Sequence, residues 1–254
     1  MKFKHKQNFH LLAVDVSNSF TKIALFSGDS IRKKIIIPTP DLKPEYLYKR
    51  IGAWKFNAVI ISSVVPKANA ALKKALKGFE VHWVTHRSPL SIGIDYPKPE
   101  TIGADRLCNA AACAKIYGTP AIVVDFGTAV TFDVVSEQKK YIGGIISPGL
   151  HAMTDYLHER TALLPRIQLR EPRAAVGKST VEAMRVGAVI GYRGLIRGIL
   201  QALMQEEFKK KSPFLVATGG DASVIASKMP EFTDIDPDLT LRGLHLIGVT
   251  AFKQ

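Results

Sequence analysis

The chain has 254 residues, with 35 Lys and Arg against 22 Asp and Glu, a formal net charge of +13. At 46% hydrophobic residues it holds enough apolar mass for a substantial core, which excludes a disordered chain, and no apolar run reaches the length of a membrane span. Two cysteines without CxxC or HExxH spacing exclude a disulfide framework and a structural zinc site, so a soluble cytoplasmic protein of one large or two ordinary domains is expected, its basic surface attracting anions such as nucleotides.

In chain order, strands are expected at 11–16, 21–27 and 31–37, separated by the turn residues "SNS" and "SGDS". "DLKPEYLYKRIGAW" reads as a helix and "FNAVIISSV" as a buried strand, followed by a helix over 67–77 and the strand "FEVHWV". "TIGADRLCNAAACAKIYG" reads as a loop opening an Ala-rich helix that stops at Gly118, with Cys108 and Cys113 as small core residues. Strands resume at 121–125, 129–135 and 140–146. A long helix covers 179–208, with Val181, Met184, Ala188 and Leu195 near one face. "PFLVATGGD" is a strand feeding a Gly-rich turn, and "LTLRGLHLIGVTAF" is helical despite its glycines.

Two stretches repeat one form. "LLAVDVSNSFTKIALF" (11–26) and "AIVVDFGTAVTFDVV" (121–135) each run strand, aspartate, small-residue turn, strand. With Asp15 set on Asp125, an offset of 110 residues also sets Val14 on Val124 and Thr21 on Thr131. Three sequential strands followed by alternating helix and strand is the pattern of a ribonuclease-H-like unit. The expectation is therefore an α/β protein of two tandem ribonuclease-H-like domains, 1–118 and 119–254, with a cleft between them. A tight turn of small residues lets a phosphate approach the backbone, and a carboxylate at the strand end can hold Mg²⁺ through water. No GxxxxGK[ST] P-loop occurs. Between the repeats, "IGADR" sets Asp105 beside Arg106 at a helix start. Two readings are open there: helix capping, or a carboxylate base beside a guanidinium that clamps an anionic substrate.

The motifs "DVSNSFTK" (15–22), "DYP" (95–97), "GADR" (103–106), "DFGTAVTFD" (125–133), "GGIISPG" (143–149), "STVEAMRVGAV" (179–189) and "GGDA" (219–222) stand in an order that resembles the type III pantothenate kinases, of the acetate and sugar kinase/Hsp70/actin superfamily. The resemblance implies an actin-like ATPase fold and transfer of the ATP γ-phosphoryl group to the hydroxyl of pantothenate, the first step of coenzyme A biosynthesis. It implies ATP phosphate binding by Asp15, Val16, Ser17, Asn18, Ser19, Phe20, Thr21 and Lys22, with Thr128 also meeting ATP. It makes Asp105 the proton acceptor, and Tyr96, Gly103, Ala104, Asp105, Arg106 and Thr180 the pantothenate contacts. It gives Asp125 a monovalent cation, K⁺ or NH₄⁺, and makes the protein a homodimer; Asp15 holds Mg²⁺ through water on the reading of its turn above, the lack of an apolar span gives no membrane partner, and the lack of an RNP, zinc-finger or basic–aromatic pattern speaks against a nucleic-acid partner. Arg106 suits a bidentate hold on the pantothenate carboxylate.

One residue departs from the family pattern: Ser17 stands in the glycine position of its Asp-x-Gly-Asn-Thr, and Ser19 replaces the threonine. If that position needs positive φ, serine there costs on the order of 1 kcal/mol. Two rival readings remain, a non-catalytic regulatory or nucleic-acid-binding relative and a kinase for another small hydroxy acid. Retention of Asp105, Asp125 and Thr180 together speaks against the first. Gly143, Gly144 and Gly149 suit turns or a substrate-adjacent loop, Gly219 and Gly220 a strand–helix turn or an adenosine contact, and the histidines receive no role.

Overall fold

The computed structural model describes residues 9–209 and 211–253. Its strands are β1 (His10–Val16), β2 (Phe20–Ser27), β3 (Ser30–Pro38), β4 (Ala58–Ser63), β5 (Glu80–Trp83), β6 (Gly93–Ile94), β7 (Ala121–Phe126), β8 (Ala129–Val135), β9 (Lys140–Pro148), β10 (Phe214–Thr218) and β11 (Asp234–Ile235). Its helices are α1 (Pro44–Ile51), α2 (Pro66–Ala75), α3 (Ala104–Ile116), α4 (Leu150–Arg160), α5 (Thr180–Glu206), α6 (Ala222–Ala226) and α7 (Leu239–Ala251). The chain forms two compact units. The first runs to Lys115 and takes up again from Asp238, and the second is Ile116–Pro237. The division expected from sequence, 1–118 and 119–254, assigns the last helix to the other half.

In the first unit the sheet order is β3-β2-β1-β4-β5, with β1, β2 and β3 antiparallel and β1, β4 and β5 parallel. The central strands are buried on both faces, which explains their unbroken apolar runs. One face packs Leu12, Val14, Val16, Val59 and Ile61 against α1 and α2 through Leu47, Ile51 and Leu72. The opposite face takes α7, and there the glycines of the tail helix have a reason. A Cβ on Gly248 would come 2.6 Å from Leu11, and one on Gly243 would overlap the Cys108 carbonyl of α3. A glycine in a helix costs about 1 kcal/mol relative to alanine; here it allows two helices and a sheet to close on one another. Thr240 donates its hydroxyl to Asn109 Oδ1 at 2.7 Å in the same contact, and both cysteines of α3 are fully buried.

In the second unit β11, β10, β7, β8 and β9 lie side by side in that order. The β7–β8–β9 meander is antiparallel and β10 is parallel to β7. Ile122, Val124, Phe126, Leu215 and Ala217 form the face that α5 and α6 cover. The buried stripe of α5 is Met184, Ala188, Val189, Tyr192, Ile196 and Leu200, with the expected Val181 and Leu195 half-buried beside it. Arg193 leaves this stripe to grip Glu171 with two nitrogens and to cap α6 through the Val224 and Ile225 carbonyls. Helices α4 and α6 were not legible in the sequence: α4 is mostly exposed and has only Leu150 and Thr154 buried, and α6 has five residues. Both units thus carry the three-strand meander and the parallel strands of the ribonuclease-H-like plan. Among the described residues, no helix is long and apolar enough to cross a membrane.

Candidate active site

Asp15, the last residue but one of β1, is buried and stands in register with Lys22 on β2 and Ser62 on β4. The chain then reverses through Ser17–Phe20, where the Ser17 N–H donates to the Phe20 carbonyl at 3.1 Å and Asn18, Ser19 and Phe20 are exposed. The turn is held from behind by Thr39, a residue without any local signal in the sequence. The Thr39 hydroxyl donates to the Ser17 carbonyl at 2.7 Å, and its N–H donates to the Ser19 carbonyl at 3.0 Å. The buried Thr21 hydroxyl sits 3.0 Å from Thr39 Oγ1. With two carbonyls drawn back toward Thr39, the turn presents its small polar side chains to solvent.

Ser17 does not carry the backbone strain expected of it. Among the described residues, Lys139 is the one non-glycine residue with positive φ. The corresponding Gly127 tells the same story. Its φ is not positive, and a Cβ there would meet the Ala129 carbonyl at 3.4 Å, an ordinary contact. This position therefore accepts a side chain without backbone movement, and the steric premise drawn from the family pattern is corrected.

The "GADR" segment opens α3 in the same unit. Asp105 folds back so that its Oδ1 accepts the Arg106 N–H at 2.8 Å. A Cβ on Gly103 would lie 2.5 Å from that same oxygen, so glycine precedes the helix because the carboxylate occupies the space. Asp105 and Arg106 are half-buried and Ala104 is buried. One turn along, burial pushes the Cys108 thiol well up, and the Asp15 and Asp105 carboxylates push it further. Val64, directly after β4, links the sheet end that carries Asp15 to the helix start that carries Asp105: its N–H donates to the Val16 carbonyl at 3.1 Å, and its side chain lies 3.6 Å from where a Gly103 Cβ would stand. Tyr96 is exposed on the loop after β6. A cavity of about 300 Å³ follows that segment, lined by His86, Ser88, Leu90, Ile92, Ile94 and Pro99 among others; none of the sequence-predicted site residues line it.

In the second unit Asp125 is the last residue but one of β7, in register with Thr131 on β8 and Thr218 on β10. Its turn is shorter, closed by the Gly127 N–H to the Ala129 carbonyl at 3.1 Å, with Thr128 exposed. Two segments clasp it. The Gly149 N–H donates to the Thr128 carbonyl and the Asp221 N–H to the Phe126 carbonyl, each at 3.2 Å. A Cβ on Gly149 would overlap the Gly127 and Thr128 carbonyls. One on Gly219 would stand 2.5 Å from the Phe126 carbonyl and 2.6 Å from Asp125 Oδ1, and Gly219 is also left-handed at φ +95°. His151 and Asp221, neither of which received a role from sequence, meet at 3.2 Å across this clasp. Burial raises the Asp221 carboxyl while His151 opposes the rise, and burial together with Asp221 pushes the Tyr192 phenol up. Thr180 is exposed at the first position of α5, where Ser179 accepts the Glu182 N–H and Glu182 accepts the Lys178 N–H, a variant of the capping box.

A family model described as type III pantothenate kinase matches residues 11–202. The type III pantothenate kinase of Akkermansia muciniphila is 46% identical over 236 residues, which is 92% of this chain and 96% of that protein. Among solved structures, MreB 5 of Spiroplasma citri bound to AMPPNP aligns over 97% of this chain and 98% of its own, with TM-score 0.53 and 11% identity. An archaeal actin homologue aligns over 97% of this chain and 100% of its own, with TM-score 0.53 and 13% identity. The two structural likenesses establish the actin-like ATPase fold, and from the family model together with a relative of this identity and coverage it follows that the chain belongs to the type III pantothenate kinase family.

Proposed function

We propose a division of labour for the reaction of this family, transfer of the ATP γ-phosphoryl group to the hydroxyl of pantothenate. The product is 4′-phosphopantothenate, in the first step of coenzyme A biosynthesis. The observation that carries the proposal is the link between the Asp15 strand and the Asp105 helix start: the Val64 N–H bonds the Val16 carbonyl, and the Val64 side chain lies 3.6 Å from the point where a Gly103 Cβ would stand, 2.5 Å from Asp105 Oδ1, which sets a phosphate-type turn beside a half-buried carboxylate. Phosphoryl transfer passes through a loose transition state, so positioning and charge neutralisation dominate. The Ser17–Phe20 turn, with Val16, Thr21 and Lys22 behind it, holds the ATP phosphates, and the family resemblance gives Thr128 an ATP contact as well. Asp105 orients the pantothenate hydroxyl and accepts its proton late. Its bond from the Arg106 N–H does not compete with this role, because a carboxylate offers about four lone-pair sites. Arg106 holds the substrate carboxylate, and Tyr96, Gly103, Ala104 and Thr180 complete the pantothenate contacts.

The residues present fit a divalent ion at Asp15. Asp15 supplies one carboxylate beside the exposed Ser17–Phe20 turn, the oxygen ligand that Mg²⁺ would take while its other positions are filled by nucleotide phosphates and water. When bound, Mg²⁺ neutralises phosphate charge. Asp125 fits K⁺ or NH₄⁺. Its Oδ1 and the Phe126 carbonyl face the space that a side chain at Gly219 would fill, and a carboxylate with carbonyls is an oxygen set for a monovalent cation. A homodimer in the cytoplasm completes the reading. Gly187, Gly191, Gly194 and Gly198 line the exposed side of α5, where a Cβ on any of them would meet nothing within 4 Å. Small residues at that spacing suit close approach of a second helix, and Ile190 between them is exposed. Sedimentation should give a dimer that Gly191→Lys dissociates; a wild-type monomer at working concentration refutes that part.

The test of the reaction is ATP-dependent phosphorylation of a panel of hydroxy acids, by wild type and by Asp105→Asn. Pantothenate should be the preferred acceptor, and the variant should lose turnover while remaining folded. Turnover near normal in a stable Asp105→Asn would return that residue to helix capping.

A further inference from the structure

Two hydroxyls hold matching places beside the two motif aspartates. Ser62 on β4 is in register with Asp15 on β1, and Thr218 on β10 is in register with Asp125 on β7. Both strand pairs are parallel, so residues in register project to the same face of the sheet. Both residues are fully buried, and among the described residues neither Ser62 Oγ nor Thr218 Oγ1 has a hydrogen-bond partner. Burial of a hydroxyl without a partner is unfavourable, and alanine in its place would remove the penalty. The neighbouring Ser63 is a useful contrast. Its hydroxyl lies 2.6 Å from Asn69 Oδ1 and accepts the Val65 N–H at 3.2 Å, a structural use at the start of α2. Ser62 has no such use.

We propose that Ser62 is a positioning residue for the divalent ion that accompanies the nucleotide, its hydroxyl bonding a water of the hydrated ion anchored at Asp15. The proposal rests on the reading of Asp15 as that anchor. The strand that carries Ser62 runs on toward the "GADR" helix start. Two residues on, the Val64 N–H donates to the Val16 carbonyl, and the Val64 side chain packs 3.6 Å from where a Gly103 Cβ would stand. Asp105 Oδ1 lies against that same point. A hydroxyl buried at the sheet end is set back from the exposed Ser17–Phe20 turn. A phosphate held by that turn would therefore not reach it, whereas a water of the ion entering behind the turn would find one hydroxyl and one carboxylate, the two partners a fixed water needs. The recurrence at Thr218 beside Asp125 argues that a hydroxyl at this position belongs to the aspartate motif rather than to one local accident of packing.

The test compares wild type, Ser62→Ala and Asp15→Asn by water-proton relaxation titration with Mn²⁺·ADP, alongside melting of each ligand-free protein. Ser62→Ala should melt at or above the wild-type temperature without ligand and bind Mn²⁺·ADP about fivefold or more weakly, the loss of one hydrogen bond in a charged site. Unchanged Mn²⁺·ADP affinity in Ser62→Ala, with binding lost in Asp15→Asn, overturns the role of Ser62 alone. Full binding by Asp15→Asn overturns the anchor reading and this proposal with it. A ligand-free melting temperature well below wild type in Ser62→Ala assigns the hydroxyl to the fold and also overturns the proposal.

Discussion

Replacement of Thr39 by valine should weaken ATP binding without touching the chemistry. Valine keeps the shape and the β-branched stiffness of threonine at this position, the first of a short turn after β3, so packing stays nearly constant. What it removes is the donor to the Ser17 carbonyl at 2.7 Å and the partner of the buried Thr21 hydroxyl at 3.0 Å. Two lost hydrogen bonds, one leaving a buried hydroxyl unsatisfied, amount to about 2–3 kcal/mol of stability. The Thr39 N–H still holds Ser19, so the turn loosens at its Ser17 end rather than opening. Reordering roughly one residue on nucleotide binding costs about 1 kcal/mol, or a rise of about fivefold in the KM for ATP. Asp105 sits on α3, outside the Thr39 contacts, so kcat should be nearly constant. Equilibrium urea unfolding measures the first quantity and steady-state kinetics at saturating pantothenate the others. A stability loss of this size with an unchanged KM for ATP would refute the view that Thr39 presents the Ser17–Phe20 turn to phosphates.

Ser17→Gly follows from the same turn: with no positive φ to relieve, glycine adds only unfolded-state freedom, so stability should fall by about 0.4–1 kcal/mol with the KM for ATP within a factor of about two. A clear fall in that KM would show that the serine side chain crowds a phosphate. Activity should require K⁺ or NH₄⁺ and fail in Na⁺ alone, and Gly219→Ala, which drives a methyl against Asp125 Oδ1, should raise the K⁺ concentration needed; equal rates in all three salts would remove the cation from Asp125. Stability should decline on mild acidification. Burial lowers the pKa of His245, Asp29 only partly opposing it, and burial lowers that of His82. For a histidine held neutral in the fold, the unfolded chain binds more protons below its ordinary value of about 6.5, so stability is full above that pH and is lost as pH falls toward the lowered folded value. His245 stacks on Phe26 with ring centroids 4.4 Å apart, and His245→Gln should flatten part of this slope in melting curves from pH 7.5 to 5.5; an unchanged slope would exclude His245 as its source.

The repeated aspartate-ended strands, the "GADR" helix start and the glycine turns were all legible in the sequence, because each is a local matter of apolar alternation, turn chemistry or a helix boundary. The function followed from the order of those motifs. The register of the two turns was not legible. The offset that sets Thr21 on Thr131 is correct along the chain, yet Thr21 faces Val16 whereas Thr131 faces Asp125. The first turn is one residue longer, because a hydrogen bond from Ser17 to Phe20 closes it where Gly127 to Ala129 closes the second. Thr39 follows an ordinary strand, and Ser62 looks like any small residue in an apolar run; their places beside the first motif come from a hydrogen bond across 22 residues and strand pairing across 47. The glycines of α7 look unfavourable until α3 and β1 are packed against them, and the helix itself returns to the first unit from the far end of the chain. Local propensity determines which elements form and what chemistry each turn can offer. Only long-range packing, which no short window of sequence encodes, decides which side chain faces which.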